Sequence, residues 1–335
     1  METKSSHMLL AGDIGGTKTL LGLFDPGPPR PRPIAVRTFA TLDYDGLPTM
    51  IADFLAKADG NHVSSDAITS ACFGAAGPVI GGSAALTNVP WRVDGHLVAD
   101  RFGFRRVLVI NDLQAMAFGV PQLTPSELHP LQHGQAPDGG NIALIAAGTG
   151  LGEALIHNID GRLIPSPSEG GHADFAARTE REIALLRDLT ERYGRADVEH
   201  VVSGHGLVNI HRMTHRSGSS GCAAGIDLEG ADAPAAISTA ALEHRCDCCV
   251  ETLDLFIEAY GSEAGNLALR SVATGGVFVG GGIAPKILPA ISNGAFIRAF
   301  RGKPPLEALL SSMPVHVILN AQVGLLGAAA YAASS

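Results

Sequence analysis

Val107-Leu108-Val109-Ile110 is an unbroken apolar run, and no other stretch narrows the possible folds as much. A strand that is hydrophobic on both faces must be covered on both, which suits a parallel sheet flanked by helices. The run ends in Asn111-Asp112 and passes at once into the helix-like stretch Leu113 to Phe118. In open α/β sheets, ligands bind outside the carboxyl ends of the strands. The polar pair therefore stands where a substrate would meet a sheet. Asp is also a favoured helix N-cap, so capping is the competing reading of Asp112.

Other segments repeat this alternation. Leu9 to Phe24 reads as two apolar strands around a polar glycine turn at Gly12, Asp13, Gly15, Gly16 and Thr17, a hairpin signal. Pro33 to Phe39 suits an edge strand. Leu47, Met50, Ile51, Phe54 and Leu55 form the stripe of an amphipathic helix, stopped by Gly60. Ala67 to Phe73 is a further strand. Asn141 to Ile156 repeats the first pattern of strand, glycine turn and strand. Two such hairpins suggest an internal duplication, although unrelated glycine-rich hairpins would look the same. Gly161 to Phe175 reads as a loop. After it, Thr179 and Glu182 form a capping box before a helix with Ile183, Leu186, Leu189 and Tyr193 on its buried side. Ser217 to Asp232 reads as a surface loop. A long helix is expected over roughly Pro234 to Tyr260, then a buried strand from Val277 into the turn Gly280 to Gly282.

Length and composition set bounds. A chain of 335 residues favours two domains. Apolar residues make up 46% and charged ones 17%, the balance of a folded protein. A net charge of −9 disfavours a nucleic-acid partner. Met1 to Met8 is polar and reads as frayed, with no secretory signal. The tail from Val317 carries no formal charge and so raises the question of a membrane helix. Its Asn320, Gln322, Gly324 and Gly327 favour a strand end and a close-packed helix instead. Five cysteines without a signal peptide suggest reduced thiols and a cytoplasmic protein. Cys246, Cys248 and Cys249, with His244 nearby, lack the paired spacing of structural zinc sites, and their role stays open.

Glycine turns at hairpin tips present backbone N–H groups to anions. No Walker sequence is present, and Gly148 to Gly152 runs into a strand-like segment rather than the helix a dinucleotide fingerprint requires. Asp13 suits Mg²⁺, held directly or through water, with an Asx-turn as the simpler reading. Glu169 and His172 are separated by two glycines, which disfavours the helix a Glu-x-x-His metal pair needs. A carboxylate and an imidazole on a rigid loop suit polyol hydroxyls.

In chain order, G-D-I-G-G-T-K (12–18), I-N-D (110–112), A-A-G-T-G-L-G (146–152), S-E-G-G-H-A-D-F (168–175), V-S-G-H-G-L-V-N-I (202–210) and F-V-G-G-G-I (278–283) resemble bacterial glucokinases. So do T-N-V-P-W (87–91) and E-H-V-V-S-G (199–204). This is the zinc-free branch of the hexokinase–actin–heat-shock ATPase superfamily. The cysteine-rich motif of ROK-type sugar kinases is absent. The resemblance implies an α/β, two-domain actin-like ATPase (ribonuclease H-like) fold with the active site in the interdomain cleft. The smaller domain is expected over 1–112 plus 320–335, the larger over 113–319. The implied activity is MgATP-dependent phosphorylation of the glucose 6-hydroxyl. A kinase of mannose, fructose or an N-acetylhexosamine, and a non-catalytic sugar-sensing regulator, are the alternatives. By the same resemblance Asp112 is the catalytic base, and Asn88, Asn111, Glu169, His172 and Glu199 bind the sugar. Gly12, Asp13, Ile14, Gly15, Gly16 and Thr17, with Gly148, Thr149 and Gly150, hold phosphates, and Gly280, Gly281, Gly282 and Ile283 border the adenosine. A cytoplasmic homodimer without nucleic-acid or membrane partners is expected. Lys18 departs from the pattern, and its role is left open.

Overall fold

The computed structural model describes residues 7–57, 65–86, 89–216, 222 and 224–334. Gly60 as a helix stop, Asn88 as a sugar contact, part of the 217–232 loop and most of the polar start lie outside them. Met8 already belongs to the first strand and is buried. The chain divides into two compact units, Met1–Thr124 with Asn320–Ser335, and Pro125–Leu319.

The first unit is built on strands β1 (Met8–Ile14), β2 (Lys18–Asp25), β3 (Arg32–Ala40) and β4 (Ile68–Ala75). A small antiparallel sheet follows, of β5 (Val79–Ile80), β6 (Ser83–Ala85) and β7 (Arg92–Asp94), and then β8 (Val107–Asn111). The main sheet runs β3-β2-β1-β4-β8. β1 and β2 form the expected hairpin, with Ile14 opposite Thr19, while β4 and β8 run parallel to β1 and β4 respectively. Side chains alternate across β1. Leu10 and Ile14 join a core with Met50, Phe54 and Phe73. Leu9 and Ala11 face the other way, onto Leu325, Ala328 and Ala329 of the C-terminal helix Val323–Ser334. Asp13 shares that second face by the same alternation. β8 is parallel, as its apolar run predicts, but it is the edge strand of this sheet. Val107, Leu108 and Val109 are therefore only half-buried.

The second unit carries β9 (Leu128–Gln132), β10 (Ile142–Ala147), β11 (Leu151–Ile159), β12 (Arg162–Ser168), β13 (Gly276–Gly280) and β14 (Val315–Ile318). Its sheet runs β12-β11-β10-β13-β14-β9. The β10–β11 hairpin and the parallel β13 and β14 reproduce the order of the first sheet, strand for strand, with β9 added antiparallel at the edge. The internal repeat is one of topology.

Three expectations change here. β12 is a strand paired with β11, where the prolines and serines at 165–168 had read as loop. Pro165 and Pro167 are tolerated because β12 is an edge strand. The helix after the Thr179–Glu182 capping box, Glu180–Tyr193, forms as expected and ends at Gly194 in the left-handed region. Its buried side, however, holds Glu182, Leu185, Asp188 and Leu189, while Tyr193 is exposed. Arg178 and Arg192 pair with the two carboxylates, which lets charged residues occupy that side. The long helix expected from Pro234 is two helices, Ala233–Leu242 and Asp247–Ser271, parted where His244 takes a left-handed φ of 52°.

Candidate active site

In the first unit, the site begins where β8 meets the helix Asp112–Gly119. Asn111 is the N-cap, its side-chain oxygen accepting from the N–H groups of Leu113 at 2.9 Å and Gln114 at 3.2 Å. Its amide donates to the Gly77 carbonyl at 3.2 Å. Capping, the competing reading of Asp112, falls mainly to Asn111, while Asp112 Oδ1 also accepts Leu113 N–H at 2.9 Å. Asp112 is the first residue of the helix, where the positive end of the helix dipole favours a carboxylate.

Asp13 lies at the end of β1. Burial, reinforced by the neighbouring charge of Asp112, lifts its carboxyl to about 6, while Lys18 pulls the other way. That gives Lys18 an electrostatic part. Gly324, at the start of the C-terminal helix, packs so close that a Cβ there would sit 3.0 Å from Asp13 Oδ2. The hairpin tip between β1 and β2 is held by Thr41, whose hydroxyl donates to Gly15 O at 2.8 Å and whose N–H donates to Thr17 O at 3.0 Å. Gly12 is inside β1. A Cβ there would meet the Phe73 ring at 2.6 Å, so packing explains this glycine without any ligand. Ile14 is a core residue.

In the second unit, the tip of the β10–β11 hairpin, the turn after β13 and the start of helix Gly204–Arg216 share one cavity of about 430 Å³. Gly148, Thr149, Gly282 and Ile283 line it, as does Gly204. Sequence reasoning missed Asp232, Pro234, Ser238 and Lys286, which complete its wall. Lys286 follows the glycine turn closely enough that its charge was a readable signal. Asp232 gave none, because it sits in a stretch that reads as loop.

Gly281 takes a φ of 82° and lies against Ala147 O, so a side chain there meets both strain and collision. Ile283 N–H donates to that same carbonyl at 3.2 Å. Beneath, the buried Tyr260 hydroxyl receives Ala147 N–H at 3.2 Å and donates to Gly280 O at 3.3 Å, tying β10 to β13. Gly148 differs from Gly281. Its φ is ordinary, a Cβ would meet nothing within 4 Å, and its N–H is spent on Gly150 O at 2.8 Å. A side chain at Gly148 would therefore meet neither strain nor collision.

Glu199 reaches this hairpin directly. Its Oε2 accepts Leu151 N–H at 2.7 Å, and a Cβ at Gly150 would sit 2.5 Å from it. Glu199 N–H in turn donates to Gly171 O at 2.9 Å, linking it to the turn Gly170–His172 that Glu169 opens. His172 is half-exposed and has Nδ1 3.4 Å from Asp197 Oδ2. Asp197 also accepts His200 N–H at 2.9 Å. Asp197 is a further residue the motifs did not flag. Glu169, His172 and Glu199 thus gather around one tip in the second unit, while Asn111, Asp112 and Asp13 gather in the first.

A profile of the glucokinase family matches residues 10–335. A glucokinase of Nostoc punctiforme is 41% identical over 342 residues, spanning 97% of this chain and 99% of its own. One from a Synechocystis species is 38% identical over 350 residues, spanning 97% and 98%. Among solved structures, a glucokinase from an Antarctic psychrotroph matches with a TM-score of 0.86 at 29% identity, over 98% of this chain and 99% of its own. A ROK family glucokinase from Streptomyces griseus, solved with glucose and AMPPNP, shares the fold with a TM-score of 0.66 at 23% identity, over 98% and 100%. These likenesses carry the two-domain actin-like ATPase fold.

Proposed function

The chain belongs to the glucokinase family, and from that premise we propose that it transfers the γ-phosphoryl group of ATP to the 6-hydroxyl of glucose, with Asp112 as the base. The observation that carries the assignment is Asp112 itself, a carboxylate at the carboxyl end of a parallel strand whose capping duty Asn111 mainly performs. Phosphoryl transfer asks little covalent chemistry of a protein. It asks for a carboxylate to take the hydroxyl proton, donors to hold the sugar, and positive potential around the phosphates.

In this reading Glu169, His172 and Glu199 hold sugar hydroxyls, joined by Asn88 and by the amide of Asn111. Phosphates meet Gly15, Gly16 and Thr17 of one hairpin and Thr149 of the other. They also meet the start of helix Gly204–Arg216, since helix N-termini attract anions. Gly280 to Ile283 border the adenosine in the 430 Å³ cavity, with Lys286 on its wall. The surroundings of Asp13 suit Mg²⁺. Asp13 is buried beside a second carboxylate and stays protonated up to about 6, a crowding of negative charge that a divalent cation relieves. Asp13 would hold the ion, directly or through water. Bound Mg²⁺ neutralises charge developing on the phosphate oxygens.

The reading extends to a homodimer in the cytoplasm. In its support, no described helix is long and apolar enough to cross a membrane, and all five cysteines are free. ADP release with glucose, mannose, fructose and N-acetylglucosamine, each with ATP, tests the activity. The greatest kcat/KM is expected with glucose. Absence of glucose-dependent ADP release would overturn the proposal, and a higher value with another hexose would reassign the acceptor.

A further inference from the structure

Six potential metal donors, Cys248 among them, converge in the second unit, outside the nucleotide cavity. His211 and His215 lie on helix Gly204–Arg216. Cys246 and Cys249 lie at the start of helix Asp247–Ser271. Cys222 lies between the helices in sequence. The donor atoms of His211, His215, Cys222 and Cys249 all fall within 4.8 Å of one another. Cys222 Sγ is 3.8 Å from Cys246 Sγ and 3.8 Å from Cys249 Sγ, and Cys246 Sγ is 3.5 Å from His215 Nε2.

These separations have a chemical meaning. A tetrahedral zinc with Zn–S of about 2.3 Å and Zn–N of about 2.0–2.1 Å places its sulfurs about 3.8 Å apart and a sulfur and nitrogen about 3.5–3.6 Å apart. The three distances above match those edges. We propose that Cys222, Cys246, Cys249 and His215 form a structural zinc site.

Three independent features support it. His215 Nδ1 lies 2.9 Å from the His211 carbonyl. An N–H donated there fixes the tautomer that leaves Nε2 free to ligate, the usual outer bond of a metal-bound histidine. The His211 ring is 2% exposed, stacks on His215 at 3.7 Å, and has both nitrogens buried without a partner. One of its ring nitrogens lies within 4.8 Å of the donor atoms of His215, Cys222 and Cys249. A cavity of about 340 Å³ lined by His211, His215 and Cys222 opens onto the cluster, giving an ion a path in. Binding displaces the remaining thiol protons to solvent, with no change of oxidation state.

The sequence obscured this site for a clear reason. Cys246 and Cys249 stand in C-x-x-C spacing, but no second such pair exists to complete a motif: Cys222 stands alone, and the histidines come from an earlier helix. His244, the neighbour in sequence, sits in the left-handed break between helices and is not among the clustered donors.

The test is zinc alone, titrated into the full-length protein after chelator dialysis in a non-thiol reductant, with metal and free thiols counted after desalting. About one Zn²⁺ per chain is expected, with loss of at least three-quarters of it in Cys222→Ser and Cys246→Ser and full retention in Cys72→Ala. Co²⁺ in place of zinc should give the visible bands of a tetrahedral thiolate site, a reading that needs no variant. Less than about a tenth of an equivalent in the wild-type protein would overturn the proposal. So would equal retention in the cysteine variants. Intact mass showing a Cys222–Cys246 or Cys222–Cys249 disulfide in protein that takes up no metal would replace it with a redox pair.

Discussion

At the scale of single residues, two carboxylates give opposite predictions. Asp112→Asn keeps the helix, because Asn111 supplies the cap, and removes one of the charges that push Asp13 up. Stability should hold or rise slightly in a thermal melt, while kcat falls by about 10² to 10⁴, the usual worth of a positioned base. Near-normal turnover would mean that the base lies elsewhere. Glu153 is the second case. It is fully buried, both its oxygens lack hydrogen bonds, and burial with the nearby Glu263 lifts it to about 7 against the pull of Arg270. A carboxyl raised on folding is at home when protonated, so its contribution is full below its ordinary value near 4.5 and is lost as pH rises through about 7. Glu153→Gln should match the wild type at pH 4 and exceed it at pH 8 by as much as about 3 kcal/mol. Urea titrations at both pH values check this, and an equal difference at the two would refute it.

The element scale separates what the sequence made legible from what it did not. Period-two and period-3.6 patterns located the two hairpins, the helix starting at Leu47 and the capping box at Thr179, because each depends on residues within a few positions. The β12 strand was hidden because its prolines are acceptable only at an edge, and edge position is a property of the whole sheet. The site divides the same way. Glycines, Asp112 and the Glu169–His172 pair were visible as local motifs. Asp197 and Asp232 acquire meaning only when distant segments meet, whereas Lys286 stood close enough to the glycine turn to be read. Gly148 and Gly281 show how alike two glycines look in sequence and how differently they serve their turns. Gly281 is locked by backbone conformation and by Ala147. Gly148 has free space toward the cavity. Gly148→Val should therefore fold with a melting temperature close to the wild type and bind ATP at least about tenfold more weakly, a penalty of roughly 1.4 kcal/mol or more. Calorimetric titration with a non-hydrolysable ATP analogue measures it, and unchanged affinity would remove this turn from the nucleotide site.

At the scale of the whole molecule, the C-terminal helix belongs to the unit that opens the chain. It is hydrophobic nearly all round, with Val323, Leu325, Leu326, Ala328, Ala329 and Ala332 buried. Gly327 is pressed against Ala115 O, and Gly119 against Val323 O, so this helix and Asp112–Gly119 meet backbone to backbone. Deleting 320–335 strips the cover from Leu9, Ala11, Phe24 and Ile110. The expected result is loss of amide-exchange protection in β1, β4 and β8, with protection retained in β10 and β13. Retained protection throughout would show that the helix is dispensable.

That arrangement also fixes an order of events during synthesis. The strands of the first sheet leave the ribosome early, but the helix that covers one face of that sheet is translated only after the second unit. Pro125–Leu319 lies between them. At a translation rate of about 5–20 residues per second, that stretch takes roughly 10–40 s to make. Through this interval the nascent chain carries an apolar sheet face that only the short helix Asp112–Gly119 helps to cover. The second unit, contiguous in sequence, has all its parts before the first does. A newborn chain of this protein thus completes the second unit first and depends, until helix Val323–Ser334 emerges, on whatever shields the face of the earlier one.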